Sequence, residues 1–217
     1  MTEQVYDFRF KLKYDYAAWI EQILEARRDG QIWNGYIVTF MFNHIPGPFD
    51  HKCSVMENEI ERVYATLVRH VVHDSRSPSQ RKKLPILYAF PDYPRKKMDP
   101  FRWEDVTIND GLHYHGIILI PIDTRLKMGL DMFINEEKNE KTYRHLVKFG
   151  GPLRRIHIKP VDRTPRKVAG YAFKSIEWRI PDSNRMLILP KALSELPDKR
   201  RSDDNSTALD GQITRAS

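Results

Sequence analysis

The stretch GLHYHGIILIP, Gly111 to Pro121, constrains the chain more than any other: two histidines one residue apart head a run of isoleucine and leucine. In a strand, successive side chains point to opposite faces. His113 and His115 therefore share one face, and Tyr114 takes the other. Two imidazoles side by side on a sheet face can hold a divalent metal. The same pattern also suits two histidines that merely sit there, and the spacing alone leaves both readings open.

The surrounding elements can be read from periodicity and punctuation. Asp15 to Arg28 carries Ala, Trp, Ile and Leu at helical spacing and ends at Asp29-Gly30, a C-cap signal. YIVTFMF, Tyr36 to Phe42, is a run of β-branched and aromatic residues closed by Asn43 and Pro46-Gly47-Pro48, which predicts a buried strand. A second helix is expected from about Ser54 to His73, with Val55, Ile60, Val63, Leu67, Val68 and Val71 as its apolar side. Glu57, Glu59, Glu61 and Arg62 fall outside it or at its margins. PILYAF, Pro85 to Phe90, reads as a second strand, followed by a long connection rich in Pro, Asp and Asn. The histidine strand, Leu112 to Ile120, comes third. A short helix is expected over Glu136 to Lys148, then a strand, RRIHIKPV, from Arg154 to Val161. That strand puts Ile156 and Ile158 on one face and Arg155, His157 and Lys159 on the other. Asp162 to Trp178 reads as a last helix, with Pro165 in its first turn. From Ser194 periodicity is lost, and a disordered tail over 194–217 is expected after a single domain over 1–193. Two strands in succession between helical segments predict an α+β fold, an antiparallel sheet with flanking helices.

The charge balance is basic, with 36 Lys and Arg against 29 Asp and Glu, and favours a polyanionic partner over an acidic small molecule. Nine cations (Lys148, Arg154, Arg155, Lys159, Arg163, Arg166, Lys167, Lys174 and Arg179) stand between His145 and Arg179, against Asp162 and Glu177 alone. Arg154, Arg155, Lys159, Arg166 and Lys167 are the candidates for contact with a phosphate backbone. Tyr93, Phe101 and Trp103 are candidate stacking platforms for single-stranded DNA, or else pack their loop onto the body. Cys53 is the only cysteine, so the chain builds neither an internal disulfide nor a cysteine-based zinc site, and a reducing, cytoplasmic setting is the simplest expectation. The charged N-terminal residues lack a secretory pattern, and no apolar stretch is long enough to span a bilayer, so no membrane partner is expected.

Within KVAGYAFKSIEW, Tyr171 and Lys174 are three residues apart on one helix face, within reach of each other. A tyrosine whose hydroxyl must reach a phosphate needs a rigid mount, and a helix laid on a sheet supplies one. A tyrosine packed at a helix–sheet seam with a solvated lysine beyond it gives the same pattern.

A strand with a central threonine (YIVTFMF), a His-hydrophobic-His strand (HYHG) and a helix with Y-x-x-K, in that order, resemble the HUH endonucleases, and most of all the single-tyrosine rolling-circle replication initiators. The resemblance runs from about Gly35 to Trp178, with the HYHG strand and the AGYAFK helix carrying most of its weight. It implies a ferredoxin/RRM-like sandwich with the histidines on the central strand and the tyrosine helix facing them. His113 and His115 would bind Mg²⁺ or Mn²⁺, Tyr171 would be the nucleophile left on a 5′-phosphotyrosine, and Lys174 would steady the phosphate. The implied activity is metal-dependent, sequence- and strand-specific nicking and joining of DNA that initiates rolling-circle replication of a plasmid, phage or integrated element.

The family's third metal ligand is less legible: Asp92, just after PILYAF, is one candidate and Glu104, nine residues before His113, the alternative. His157 is set apart from the metal set, and His44, His51, His70 and His73 show no ligand-like spacing. With no G-x-x-x-x-G-K-[ST] loop in the chain, an initiator of this kind would need a host or partner helicase in trans, besides its single-stranded origin DNA. Three alternatives stay open: the same chemistry in a single-tyrosine transposase or relaxase, a non-catalytic origin-binding or repressor domain, and a cupin-like metal enzyme.

Overall fold

The computed structural model describes residues 32–93, 107–161 and 185–191, together with Tyr14, Asp15, Ala18 and Gln22. Five strands, β1 (Trp33–Phe42), β2 (Ile86–Asp92), β3 (His113–Pro121), β4 (Leu153–Pro160) and β5 (Leu187–Leu189), form one sheet in the order β4-β1-β3-β2-β5. Every neighbouring pair is antiparallel. Helices α1 (Phe49–Val71), α2 (Pro78–Arg81), α3 (Leu130–Phe133) and α4 (Glu140–Leu146) complete an α+β architecture.

The histidine strand is central because it is apolar on both faces. Tyr114, Ile118 and Ile120 join the core under α1, while Ile117 and Leu119 point the other way and are equally buried. Such a strand leaves no face for water and needs a neighbour on each edge. In β1 the alternation is clean: Tyr36, Val38, Phe40 and Phe42 are buried against α1, and Ile37, Thr39 and Met41 turn to the opposite face.

Helix α1 covers the first face through Met56, Ile60, Val63, Leu67 and Val71, spaced three and four residues apart. It begins at Phe49 rather than near Ser54. Pro48 holds an extended backbone at the N-cap, and Asp50 supplies the negative charge that a first turn favours. Val55, expected on the apolar side, is only partly buried, while Cys53, Met56 and Tyr64 are buried. Arg62 is not idle at the margin: its guanidinium donates to the carbonyls of His145 and Leu146 and so closes the C-terminus of α4. The helix expected over 136–148 is shorter, with a separate turn, α3, ahead of it.

Strand β2 runs two residues past Phe90, through Pro91 to Asp92. Proline tolerates this position because, among the described residues, β5 pairs only with Leu87 to Ala89 and no ladder bond is lost at Pro91 on that side. The sequence reading did not anticipate β5, whose three residues are too few for a periodic signal. The predicted N-terminal helix lies mostly, and the tyrosine helix, Glu104 and the tail wholly, outside the described residues. Among the described residues no helix is long and apolar enough to cross a membrane.

Candidate metal centre

The sheet face opposite α1 gathers the titratable side chains. Register places Asp92 directly across from His113 on the β2–β3 pair, and Thr39 across from His115 on the β1–β3 pair. On the outer side of β1, Thr39 faces His157 of β4. A row of polar side chains thus crosses the middle of a face that also carries the buried Ile117 and Leu119.

Asp92, His113 and His115 converge. The Asp92 Oδ2 atom lies 3.8 Å from Nε2 of His113 and 3.8 Å from Nε2 of His115. These distances are too long for direct hydrogen bonds. They suit ligands across one ion: two donors each about 2.1 Å from a metal are separated by about 3 to 4.2 Å, depending on the angle. The three donor atoms lie within 4.8 Å of one another, so closing on one ion needs only a small swing of the rings. Asp92 is 3% exposed and His113 6%, which matters because a buried carboxylate needs a positive partner. The imidazole centroids stand 4.8 Å apart with planes crossed at 71°, so the rings converge on the carboxylate without stacking.

The far nitrogens explain how the near ones are aimed. Nδ1 of His113 lies 2.8 Å from the carbonyl oxygen of Gly111; a carbonyl only accepts, so Nδ1 carries the proton and the Nε2 lone pair turns toward Asp92. Nδ1 of His115 is 3.2 Å from the Thr39 hydroxyl, which can accept its proton and leave Nε2 in the same state. Anchoring of the outer nitrogen by a carbonyl or hydroxyl is the usual support of a metal-binding histidine. The Asp/His/His group can therefore hold a metal ion.

Two features of the support were missed from sequence. The first is the turn before β3. Asn109, Asp110 and Gly111 have φ of 55°, 58° and 80°, a left-handed run that Asn, Asp and Gly tolerate better than other residues. The buried Asn109 side chain holds it, donating to the Asn43 carbonyl and accepting from the Ile45 amide, each at 2.8 Å. The legible signal was the tripeptide Asn-Asp-Gly itself. The second is Gly116, at the end of HYHG. A Cβ there would stand 2.2 Å from the Tyr88 carbonyl oxygen, so glycine is what lets β2 approach closely enough to present Asp92.

Behind the histidines, Tyr114 reaches the other face and donates to Glu57 at 2.8 Å. Burial, with the Cys53 and Glu57 charges and hydrogen bonds behind it, pushes its phenol strongly up, so it stays protonated. Arg185, just before β5, pairs with Asp50 at 2.6 Å and stands 3.9 Å from Glu57, tying the last described segment to α1.

Of the candidate DNA contacts, Arg155 and Lys159 lie on the same face as the histidines, on the edge strand β4; partial burial, and then the Lys159 and Arg155 cations, hold His157 below its ordinary range. Arg154 is the extra residue of a bulge, between the Phe42–Leu153 and Met41–Arg155 pairs. Tyr171, Lys174, Glu104, Arg166 and Lys167 lie outside the described residues. Comparison with protein-family models, with curated proteins and with solved structures finds no match to this chain.

Proposed function

We propose that the chain is a single-tyrosine HUH-type DNA nickase and ligase that initiates rolling-circle replication. The observation that carries this reading is the buried Asp92, His113 and His115 cluster, with each imidazole held by its outer nitrogen and aimed at one point. The basic strand β4 on the same face and the Y-x-x-K sequence at Tyr171 support it.

His113, His115 and Asp92 would hold Mn²⁺ or Mg²⁺, the mixed imidazole–carboxylate set suiting Mn²⁺ better than Mg²⁺. A bound ion would supply Lewis-acid polarisation of a phosphodiester. The Tyr171 oxygen forms a bond to phosphorus as the bond from phosphorus to the 3′ oxygen breaks; the phenolic proton ends on the departing 3′-hydroxyl, and Lys174 steadies the phosphate charge. Joining is the reverse step, so no energy source is consumed. Two histidines and a carboxylate are also the donor set of iron(II) oxygenases, so Fe²⁺ belongs among the ions tested.

The test is intact-mass detection of a covalent adduct after incubation with tiled single-stranded oligonucleotides from the replicon that carries the gene. Mn²⁺, Mg²⁺, Fe²⁺ or chelator is supplied in separate arms. An adduct that needs metal and vanishes in Tyr171→Phe is expected. Tight DNA binding with no adduct across the full tiling would replace this reading with that of a non-catalytic origin binder.

A further inference from the structure

Beside the basic strand lies an open cleft of about 780 Å³, bordered by Asn43, Tyr143, Lys148, Phe149, Arg154 and Arg155. Phe149 is fully exposed at its rim. Such exposure is unusual for a phenylalanine, and the backbone accounts for how it is held. The Gly151 amide donates to the Lys148 carbonyl at 3.0 Å, closing a four-residue turn. Gly150, with φ of 73°, takes the third position, which requires a left-handed residue in a type II turn. Phe149 occupies the second position, at the tip. Asn43 then clamps the turn from the body: its side-chain amide donates to the Gly151 carbonyl at 2.7 Å, and its backbone amide donates to the Pro152 carbonyl at 2.8 Å. The ring is therefore presented on a fixed support.

The cleft is tied to the candidate metal centre. The Asn43 carbonyl accepts from Asn109, which holds the left-handed turn whose Gly111 carbonyl anchors His113. The Met41–Arg155 pair lies one step along β1 from the Thr39–His157 pair, toward the His113 end of the sheet. Arg155 is thus about 10 Å, two strand spacings, from the metal cluster. Its charge and those of Lys148 and Arg154 line the cleft, with Arg144 paired to Glu140; among the described residues bordering it, Glu136 is the one carboxylate.

We infer that this cleft is a nucleobase subsite for single-stranded DNA, in which an unpaired base stacks on Phe149 and the adjoining phosphates lie along Lys148, Arg154 and Arg155. Every base has a π-face that an exposed aromatic ring can cover, and cations alongside neutralise the backbone. In a duplex those faces are already covered by neighbouring bases, so the subsite selects unpaired DNA. The inference rests on the single-stranded-DNA reading above. It adds the place where the strand is gripped: a nucleotide close to the one at the metal, on the β4 side.

The experiment is fluorescence anisotropy with a labelled single-stranded oligonucleotide and the matching duplex, on the full chain, in chelator at low salt. Phe149→Ala is expected to weaken single-strand binding about tenfold, Phe149→Trp to retain it, and duplex binding to stay unchanged in both. Single-strand affinity unaltered in Phe149→Ala, or lost equally for the duplex, would overturn the subsite. Because binding is read without metal or cleavage, it separates from the nickase test. Covalent adduct with Phe149-independent binding sinks the subsite alone, whereas Phe149-dependent binding without adduct supports the subsite and sinks the nickase.

Discussion

Gly116→Ala is the most informative single substitution, because it joins the packing of the sheet to the geometry of the metal cluster. The new methyl would stand 2.2 Å from the Tyr88 carbonyl oxygen and 3.1 Å from the Ala89 Cα atom. Carbon and carbonyl oxygen settle no closer than about 3.3 Å, so β2 must retreat from β3 by roughly 1 Å. Both offending atoms are backbone, so no side-chain rotation relieves the clash. Forced overpacking of this kind costs about 3 kcal/mol, which at a slope of about 2 kcal/mol per molar urea lowers the unfolding midpoint by about 1.5 M. The same retreat carries Asp92 away from the histidines. From 3.8 Å its oxygen would move to about 4.8 Å from both rings, adding to the adjustment that the roughly 4.2 Å span of two ligands on one ion already asks of the histidines. The expected result is a urea midpoint lowered in chelator and, where the variant remains folded, Mn²⁺ affinity reduced at least tenfold by calorimetry or by the paramagnetic resonance of free Mn²⁺. Gly150→Ala is the control: its Cβ meets nothing within 4 Å, and its cost is limited to the left-handed backbone, about 1 kcal/mol. Native stability and native Mn²⁺ affinity in Gly116→Ala would refute the close-approach reasoning.

Thr39→Val removes the hydroxyl beside Nδ1 of His115 while keeping the strand's shape, and should weaken Mn²⁺ binding about tenfold; Thr39→Ser should restore it. Equal affinity in all three proteins would mean that His115 is oriented by packing alone. Cys53 is buried, and desolvation pushes its thiol from 9.0 up to about 11. It should resist alkylation at neutral pH until the chain is unfolded. The folded state holds the thiol proton more tightly than the unfolded one, so this contribution to stability is complete below pH 9 and is lost as pH climbs toward 11. Chemical denaturation at stepped pH should show that decline, and Cys53→Ala should flatten it between pH 9 and 10. A decline unchanged in Cys53→Ala would assign it to the buried tyrosines instead.

Strand β3 and Asp92 differ in how far their placement follows from local sequence. That His113 and His115 share a face follows from the two-residue period of a strand and needs no other part of the molecule. The nearness of Asp92 depends on how β2 is registered against β3, a pairing between segments separated by a long connection. A one-residue slip would have turned the carboxylate to the other face. For the same reason the sequence offers Asp92 as third ligand only with Glu104 as the alternative. Helix α1 was legible in its middle, where spacing is regular. Its start was not, since Pro48 and Asp50 act through backbone geometry rather than periodicity. Phe149 drew no notice because nothing in its neighbours' spacing marks it; its exposure is a property of the turn that Gly150 and Asn43 build together.

By itself, then, the sequence determined the types of the longer described elements, the α+β class, the common face of the two histidines and the crowding of cations after His145. All of these arise from local alternation, chain punctuation and composition. Only the tertiary structure decided which carboxylate meets the histidines, which nitrogen each imidazole offers, and where the cleft lies beside them. Those depend on strand register, on one glycine that lets two backbones approach, and on hydrogen bonds such as Asn109 to Asn43 that join residues 66 apart in the chain. Contacts of that range are set by the folded sheet as a whole, and no window of the sequence contains them.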